Sequence, residues 1–261
     1  MTFFAASGLA KHFGGVYAVD DVDLAVTEGD VVAVIGPNGA GKTTLVNLVT
    51  GVIEPDAGAV RFADRDITGV PLHRLAAMGL SRSFQHPRIF RNLTVLDNIM
   101  VAAQRPSSVG MLAAGLTLPK ARRREAAMAG AAREALARVN LDCDPHLPAD
   151  RLTTGQDKLL ELARLLMLRP RLLFLDEPAA GLDDHETADL TSRIRSINHD
   201  GVTVVLVEHN MQMVMSLADS IVVLDSGRTI AEGGPAAIRS DPAVIAAYLG
   251  DGADLSGVVD G

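Results

Sequence analysis

Residues 36–43 carry the pattern that most constrains what this chain can fold into. Their sequence, Gly-Pro-Asn-Gly-Ala-Gly-Lys-Thr, fits the spacing G-x-x-x-x-G-K-[ST]. The apolar run Val31–Ile35 precedes them directly, and an apolar helix pattern begins at Thr44. A glycine-rich turn between a buried strand and a helix lets successive backbone N–H groups surround a phosphate. The pattern therefore predicts a nucleotide-binding loop, with an ordinary glycine-rich turn as the alternative.

The residue types of this loop (hereafter the phosphate loop) suit triphosphate chemistry. Lys42 is expected to reach the β- and γ-phosphates, and the Thr43 hydroxyl is expected to ligate Mg²⁺. The predicted nucleotide contacts from this part of the chain are Gly36, Pro37, Asn38, Gly39, Ala40, Gly41, Lys42, Thr43 and Thr44.

A second pair of residues has the chemistry that completes such a site. The apolar residues 172–175 lead directly into Asp176 and Glu177. Phosphoryl-transfer sites of this kind hold Mg²⁺ with a carboxylate, expected here at the end of a strand neighbouring the phosphate loop, which makes Asp176 the predicted ligand. Glu177 is placed to orient, or take a proton from, a water that attacks the γ-phosphate. A solvated acidic pair at a strand end is the alternative.

The hydrophobic patterning predicts an α/β fold. Apolar runs at residues 31–35, 172–175, 202–207 and 221–224 are typical of strands buried on both faces of a parallel sheet. Helical patterns at residues 184–198 and 210–218 separate the last three runs. Residues 16–26 alternate apolar and polar side chains, as in an antiparallel flap. We expect a P-loop NTPase core with a mostly parallel sheet, an N-terminal antiparallel β flap and an inserted α-helical subdomain.

The domain boundaries follow from changes in composition. Residues 95–169 are rich in Ala, Leu and Arg, which favours helix. We expect one domain over residues 1–250, with the helical subdomain inserted at roughly residues 86–168. Residues 251–261 are rich in Gly and Asp and are expected to form a flexible tail.

Composition and charge exclude several classes of function. The chain has 261 residues with 24 basic and 32 acidic side chains, a net charge of −8, which disfavours a broad nucleic-acid surface. The single cysteine, Cys143, cannot form an intramolecular disulfide. The N-terminus lacks a signal-peptide pattern, and no apolar run is long enough to span a bilayer. We therefore expect a cytoplasmic protein whose membrane role, if it has one, depends on a partner.

Six short motifs occur in the order found in ABC-type ATPases, which this chain resembles over residues 9–250. Within that family it most resembles the ATP-binding subunits of branched-chain amino-acid importers, through Phe13-Gly-Gly and residues 84–98, 177–182 and 246–250. The six motifs are residues 38–44, Gln85, residues 152–156, residues 176–178, residues 180–183 and residues 208–209.

The resemblance implies roles for residues outside the phosphate loop. Phe13 resembles the aromatic side chain that stacks on adenine, although a core phenylalanine is the alternative. Gln85 resembles the glutamine that touches Mg²⁺ and the attacking water, and His209 the histidine that hydrogen-bonds the γ-phosphate. In the resembled family, the residues matching Thr153, Gly155 and Gln156 contact ATP bound by a second subunit.

The segment of residues 152–156 departs from the family pattern. It is Leu-Thr-Thr-Gly-Gln, whereas the general pattern is Leu-Ser-Gly-Gly-Gln. Thr153 keeps a hydroxyl that can donate to a phosphate, and Thr154 places a β-branched side chain where glycine is usual. Asp157 and Lys158 replace a more basic stretch, and the helix that follows is expected over residues 157–167.

The resemblance implies an ATP-binding and ATP-hydrolysing subunit that powers import of branched-chain or other amino acids. ATP and Mg²⁺ are the implied cofactors. The implied partners are a second ATPase subunit, identical or paralogous, integral membrane permease subunits and, indirectly, a solute-binding protein, with no nucleic acid. The chain would then lie peripherally on the inner face of the cell membrane. The alternatives are a urea or short-amide importer, a lipid or lipopolysaccharide exporter, and a soluble ABC ATPase such as a cluster-assembly factor.

Overall fold

The computed structural model describes residues 2–83, 89–102 and 118–250 and contains two β-sheets. The strands of the antiparallel sheet, in the order β2-β1-β4-β5, are β1 (Thr2–Phe13), β2 (Val16–Thr27), β4 (Ala57–Phe62) and β5 (Arg65–Asp66). The strands of the second sheet, in the order β10-β9-β3-β8-β7-β6, are β3 (Val31–Ile35), β6 (Leu80–Arg82), β7 (Leu172–Asp176), β8 (Thr203–Val207), β9 (Ser220–Asp225) and β10 (Arg228–Gly233).

The six-stranded sheet is parallel except at one edge, where β10 runs antiparallel to β9. All residues of β3, β7 and β8 are buried, which explains why these strands are apolar at successive positions, except for Asp176 at the end of β7 and Thr203 at the start of β8. The predicted fold class, a P-loop α/β core with a mostly parallel sheet and an N-terminal antiparallel sheet, is confirmed.

Helices follow or separate most strands of the six-stranded sheet. A 3₁₀ turn occurs at Ala149–Arg151. The helices are α1 (Lys42–Val49), α2 (Leu72–Met78), α3 (Val95–Ala102), α4 (Leu118–Val139), α5 (Thr154–Leu166), α6 (Asp184–His199), α7 (Met211–Leu217), α8 (Pro235–Arg239) and α9 (Pro242–Gly250).

The two faces of β3 pack into two separate apolar cores. Val31, Ala33 and Ile35 face a core shared with α3–α7, whereas Val32 and Val34 face a core shared with α1 and the antiparallel sheet. Because successive strand residues point to opposite faces, a strand between two cores must be apolar at every position. This double burial fixes the end of β3, and with it the start of the phosphate loop.

Helices α3–α5 lie between β6 and β7 along the chain, in the stretch whose composition favours helix. The division of the chain into a helical subdomain at 86–168 and a tail at 251–261 stays a prediction. Gln85 and the tail fall outside the described residues. Among those that are described, no helix is both long and apolar enough to cross a membrane.

Candidate active site

Three parallel strands bring the predicted site residues to one edge of the sheet. Within the central strand β8, Val207 pairs with Val34 of β3 on one side and with Asp176 of β7 on the other. The expectation that Asp176 ends a strand adjacent to β3 is therefore wrong, because β8 lies between them. Two strand spacings of about 4.8 Å put β3 and β7 roughly 10 Å apart, which leaves room for phosphates between the loop and the carboxylate.

Two glycines fix the path of the phosphate loop. Gly36 has φ +150° and Gly41 has φ +99°. A Cβ on Gly36 would lie 2.1 Å from the carbonyl oxygen of Leu224, and a Cβ on Gly41 would lie 2.2 Å from that of Ala18. The loop thus approaches two other backbones more closely than any side chain allows. The sequence pattern predicted this need for glycine but not the backbones that cause it.

Lys42 lies against the loop that precedes it. Its Nζ donates hydrogen bonds to the carbonyl oxygens of Gly36 at 2.7 Å and Pro37 at 2.9 Å, and the residue is buried. Asn38, Gly39 and Thr43 are exposed, so the outer side of the loop and the N-terminus of α1 are accessible. Backbone donors, an ammonium group and a helix N-terminus at one place form a site for a phosphate chain.

The two carboxylate oxygens of Asp176 differ in their hydrogen bonding. It is 3% exposed, its Oδ2 accepts a 2.9 Å hydrogen bond from Nη2 of Arg82, and its backbone N–H donates to Oγ of Ser83. Its Oδ1 is buried and has no hydrogen-bond partner among the residues that the structure describes. A buried carboxylate oxygen left in this way fits a hard cation such as Mg²⁺, and the exposed Thr43 hydroxyl supplies a second oxygen ligand.

Among residues 2–83, 89–102 and 118–250, no three His, Cys, Asp or Glu side chains cluster as ligands of a metal ion. Mg²⁺ seldom needs such a cluster, because it usually binds through one or two carboxylates together with substrate phosphates and water. The residues present therefore fit Mg²⁺ held jointly with a nucleotide.

Glu177 has an unusual backbone conformation. Its φ is +47°, in the left-handed region that non-glycine residues rarely adopt, and its N–H donates a 2.8 Å hydrogen bond to the carbonyl oxygen of Val207. The chain therefore turns sharply after Asp176 while remaining tied to β8. Strained residues of this kind concentrate at functional sites, where the turn directs a side chain away from the strand.

The end of β8 is held by a buried carboxylate. Glu208 is fully buried, and its two carboxylate oxygens accept backbone hydrogen bonds from Ala179 at 2.8 Å, His209 at 2.8 Å and Asn210 at 3.0 Å. The His209 side chain, by contrast, is 65% exposed. Glu208 thus anchors the backbone of His209 while the imidazole remains accessible to a ligand.

Thr153 caps the helix that carries Gly155 and Gln156. Its Oγ1 accepts a hydrogen bond from the backbone of Gln156, and the Gln156 side chain accepts one from the Thr153 backbone. This capping box starts α5 at Thr154, three residues earlier than the expected 157–167. The cap uses Oγ1 as an acceptor, so the hydroxyl proton remains available to a phosphate.

The contacts around the start of α5 explain why residue 155 is a glycine and residue 157 is acidic. A Cβ on Gly155 would lie 2.6 Å from Oε1 of Glu186, in the first turn of α6. The Asp157 carboxylate accepts hydrogen bonds from Nη2 and Nη1 of Arg91 at 2.6 and 3.0 Å, and Nη1 also donates to the carbonyl oxygen of Ala149. The acidic residue at 157 therefore serves a bidentate ion pair that ties α5 to the chain before α3.

Phe13 is 53% exposed at the end of β1, together with the exposed Val16 and Tyr17. A core role for this phenylalanine does not fit that exposure, and an accessible aromatic ring is what adenine stacking needs. Gln85, the remaining predicted catalytic residue, lies outside the described residues.

A buried tyrosine lies beside the first residue of the phosphate loop. Tyr248 in α9 is 8% exposed, and its hydroxyl is near the Gly36 backbone. Within the described residues, this hydroxyl makes no hydrogen bond of normal geometry. Burial raises the pKa of Tyr248 to about 12, and the nearby Gly36 backbone partly opposes this shift. The C-terminal helix therefore supports the loop directly.

Sequence reasoning missed three contributors to the site: Arg82, Glu208 as a backbone anchor, and the Arg91–Asp157 pair. Arg82 sits in a three-residue strand too short to show a period, and nothing local marks its partner 94 positions away. Glu208 was noticed only as the neighbour of His209. A charged residue directly after a fully apolar run is the signal that could have identified Glu208, whereas Arg82 follows a serine and has no such signal.

Comparison with known protein families gives two matches. Residues 19–180 match the family described as ABC transporter, and residues 228–254 match that described as branched-chain amino acid ATP-binding cassette transporter.

Two relatives illustrate the similarity in sequence. The chain is 45% identical over 246 residues to the high-affinity branched-chain amino acid transport ATP-binding protein BraF of Pseudomonas aeruginosa, covering 94% of this chain and 96% of BraF. It is 40% identical over 248 residues to the protein of the same description, LivG, of Escherichia coli strain K12, covering 95% of this chain and 97% of LivG.

Solved structures share the fold. The ADP conformation of MJ1267, an ATP-binding cassette of an ABC transporter, matches with a TM-score of 0.84 and 32% identity, over 96% of this chain and 99% of that one. The dimeric post-hydrolysis cassette MJ0796, bound to ADP and Pi, matches with a TM-score of 0.72 at 22% identity, over 89% and 98% of the two chains.

Proposed function

This chain belongs to the ABC transporter family as its ATP-hydrolysing subunit, and we propose that it powers the import of branched-chain amino acids. The observation that supports this best is the combination of the phosphate loop, Asp176 and Glu177 at one sheet edge with a C-terminal match specific to branched-chain importers. The lipid-exporter, urea-importer and cluster-assembly alternatives have no comparable support, since the similar proteins are named for branched-chain amino-acid transport.

The chemistry we assign to the site uses the described geometry. The N–H groups of the phosphate loop and the Lys42 ammonium bind the β- and γ-phosphates, while the exposed Phe13 ring stacks on adenine. Mg²⁺, held by Thr43 and Oδ1 of Asp176, would neutralise charge on the phosphates. Glu177 orients the attacking water and accepts its proton. His209 donates to the γ-phosphate from its exposed position.

Our proposal includes a second ATPase subunit. The Thr153 hydroxyl is exposed at the N-terminus of α5, whose helix dipole favours an anion. In a head-to-tail pair, Thr153, Gly155 and Gln156 of each subunit contact the γ-phosphate held by the other. Loss of that phosphate then removes the contact that bridges the subunits, and the pair separates by a shift in population.

We also assign a docking surface for the membrane permease. A groove of about 430 Å³ lies between α2 and α5, and its lining is mostly apolar, including Leu72, Ala76, Leu165 and Leu168. An apolar groove edged by charged side chains suits a short helix of a membrane subunit. Docking there would hold the chain on the inner face of the membrane.

The dimerisation step is tested with the Glu177→Gln protein, measured by size-exclusion chromatography with light scattering. We expect a monomer without nucleotide and a dimer with Mg-ATP, because the variant binds ATP but cannot hydrolyse it. ATP turnover should fall by about 10²- to 10⁴-fold, as for loss of a general base. A variant that hydrolyses ATP normally would remove Glu177 from the catalytic role, and one that stays monomeric with ATP bound would contradict the bridging contact.

The transport step is tested by co-expression with permease subunits of a branched-chain amino-acid importer. We expect the chain to co-purify with them. In proteoliposomes, the complex should take up leucine while it hydrolyses ATP. The Ala76→Glu variant should lose co-purification while its own ATP hydrolysis persists. Uptake of urea without leucine would contradict the proposed substrate class.

A further inference from the structure

A buried arginine connects three elements beneath the predicted metal position. Arg82 lies in β6 with its side chain 4% exposed. Its Nη1 donates hydrogen bonds to Oδ1 of Asn47 at 2.7 Å and to Oγ1 of Thr50 at 2.9 Å, and its Nη2 donates to Oδ2 of Asp176 at 2.9 Å. Asn47 belongs to α1, the helix that begins at Lys42, and Thr50 directly follows it. One guanidinium thus joins the phosphate-loop helix to the carboxylate at the end of β7.

Burying this guanidinium costs free energy, so its position calls for an explanation. Taking a guanidinium out of water carries a penalty of several kcal/mol, which a good ion pair and additional hydrogen bonds offset only partly. The planar fork of arginine can serve two separate elements at fixed angles, which a lysine ammonium cannot do with the same geometry. Both partners of this pair are buried, so little solvent competes for the contact.

The geometry at Asp176 shows what the contact accomplishes. Arg82 occupies Oδ2, and Ser83, the next residue along the chain, accepts the backbone N–H of Asp176. The carboxylate and its backbone are therefore both held from the β6 side. Oδ1 is the oxygen to which no residue in the described part of the chain donates a hydrogen bond. The arginine thus determines which of the two carboxylate oxygens faces the predicted metal position.

We infer that Arg82 is a positioning residue for the metal–nucleotide complex: it fixes the Asp176 carboxylate so that Oδ1 meets the divalent cation, and it ties that oxygen to the phosphate-loop helix. This inference rests on the proposed role of Asp176. Partners that orient a metal ligand typically affect metal affinity by about 10- to 100-fold when removed. Arg82 acts through Asp176 and touches neither nucleotide nor cation.

The experiment compares four variants of the full chain. Arg82→Gln removes the fork, and Arg82→Lys retains the charge without it. Asp176→Asn tests the ligand itself. Arg171→Gln is the matched control, because Arg171 lies at the opposite end of β7 from Asp176. Its guanidinium pairs with Glu28 at 2.8 Å and lies over the Phe3 ring, 4.7 Å from the ring centroid.

The main readout is Mn²⁺ binding to the ADP complex, titrated by electron paramagnetic resonance of free Mn²⁺. We expect Arg82→Gln to weaken Mn²⁺ binding at least 10-fold, while ADP binding without metal changes less than about 3-fold. Arg82→Lys should show a smaller loss of at least 3-fold, and Arg171→Gln should match the parent protein. ATP turnover of Arg82→Gln should fall mainly in kcat and recover partly at high Mg²⁺.

The variants separate the possible failures. If Asp176→Asn leaves Mn²⁺ affinity unchanged, the proposed role of Asp176 is wrong. If Asp176→Asn weakens it and folded Arg82→Gln does not, the inference about Arg82 is overturned. A merely structural arginine would lower the thermal unfolding midpoint without changing Mn²⁺ affinity. Should Arg82→Gln not fold, the folded Arg82→Lys protein decides, and parental Mn²⁺ affinity there would also overturn the inference.

Discussion

The Glu208 carboxylate accepts a 2.8 Å hydrogen bond from the backbone N–H of Ala179, a residue 29 positions earlier in the chain. The same carboxylate accepts the N–H groups of His209 and Asn210. It therefore joins the segment that follows Glu177 to the segment that carries the exposed histidine. Because the carboxylate is fully buried and bonded to both segments, a displacement of one segment should also displace the other.

Replacing Glu208 by Gln should destabilise the protein and slow ATP hydrolysis. A Gln amide offers one acceptor oxygen, and its NH₂ group would face at least one backbone donor that Glu208 now satisfies. An unsatisfied buried donor costs about 1–3 kcal/mol, measurable as a lower urea midpoint. We also expect a lower kcat, because the His209 backbone loses its anchor.

The matched control is Asp219→Asn. Asp219 accepts a single backbone N–H, that of Val31, at 2.8 Å at the opposite end of the sheet, and Asn keeps that acceptor. Its urea midpoint and kcat should remain near those of the parent protein. Equal stability of the Glu208→Gln and parent proteins would mean that the three backbone contacts contribute nothing.

Replacing Lys42 by Ala should weaken ATP binding without unfolding the protein. The Lys42 ammonium donates hydrogen bonds to two carbonyl oxygens of the loop, and a backbone hydrogen bond from the Gly227 N–H to the Ala40 carbonyl oxygen holds the loop independently of the lysine. Loss of a charged hydrogen bond of about 1.5–3 kcal/mol corresponds to roughly 10- to 100-fold weaker binding. Isothermal titration with ATP in the Glu177→Gln background checks this, and unchanged affinity would remove Lys42 from the phosphate site.

Substitutions at Thr153 can separate its two roles. Thr153→Val removes both the helix cap and the hydroxyl donor, and should cost about 1 kcal/mol of stability and the ATP-induced dimer. Thr153→Asn keeps a capping oxygen but lacks the hydroxyl, so it should retain stability and still dimerise poorly. Thr153→Ser should retain both. Urea unfolding and light scattering in the Glu177→Gln background measure the two effects, and normal dimerisation of Thr153→Asn would exclude a hydroxyl contact with phosphate.

Tyr248 should make stability depend on pH in the alkaline range. Its folded pKa of about 12 lies above the usual value of about 10, so the folded protein keeps the phenol proton where the unfolded chain loses it. The resulting contribution is complete below about pH 10 and is lost as the pH rises toward 12, by up to about 2 kcal/mol.

Tyr248→Phe should remove this dependence. At pH 8 the variant should be as stable as the parent to within about 1 kcal/mol, because the buried hydroxyl that it lacks makes no hydrogen bond of normal geometry with the described residues. Urea unfolding at pH 8, 10 and 11.5 compares the two proteins. Parallel loss of stability in both would show that other groups cause the alkaline effect.

Much of this architecture was predictable because it depends on local patterns. The run Val31–Ile35 was predicted with its observed bounds, since burial on both faces requires five consecutive apolar residues. The flap at residues 16–26 alternates because one face of β2 packs into a core. The glycines of the phosphate loop were predicted because few other functions need that spacing.

The remaining features depend on contacts that no local pattern encodes. The position of β8 between β3 and β7 follows from how the crossovers wind, and strand order is not written in any single strand. β6 has three residues and contains Arg82, so it shows no apolar period. The start of α5 at Thr154 was missed because the capping box of Thr153 and Gln156 was interpreted only as a ligand contact.

The double pairing of Val207 has a consequence for the range of molecules that the site accepts. A ligand that touches both the N-terminus of α1 and the end of β7 must extend across a whole intervening strand, a distance of roughly 10 Å set by backbone hydrogen bonds. Side-chain mutations cannot shorten it. The length of the phosphate chain therefore distinguishes nucleoside triphosphates from monophosphates, and the backbone spacing sets the length that is required.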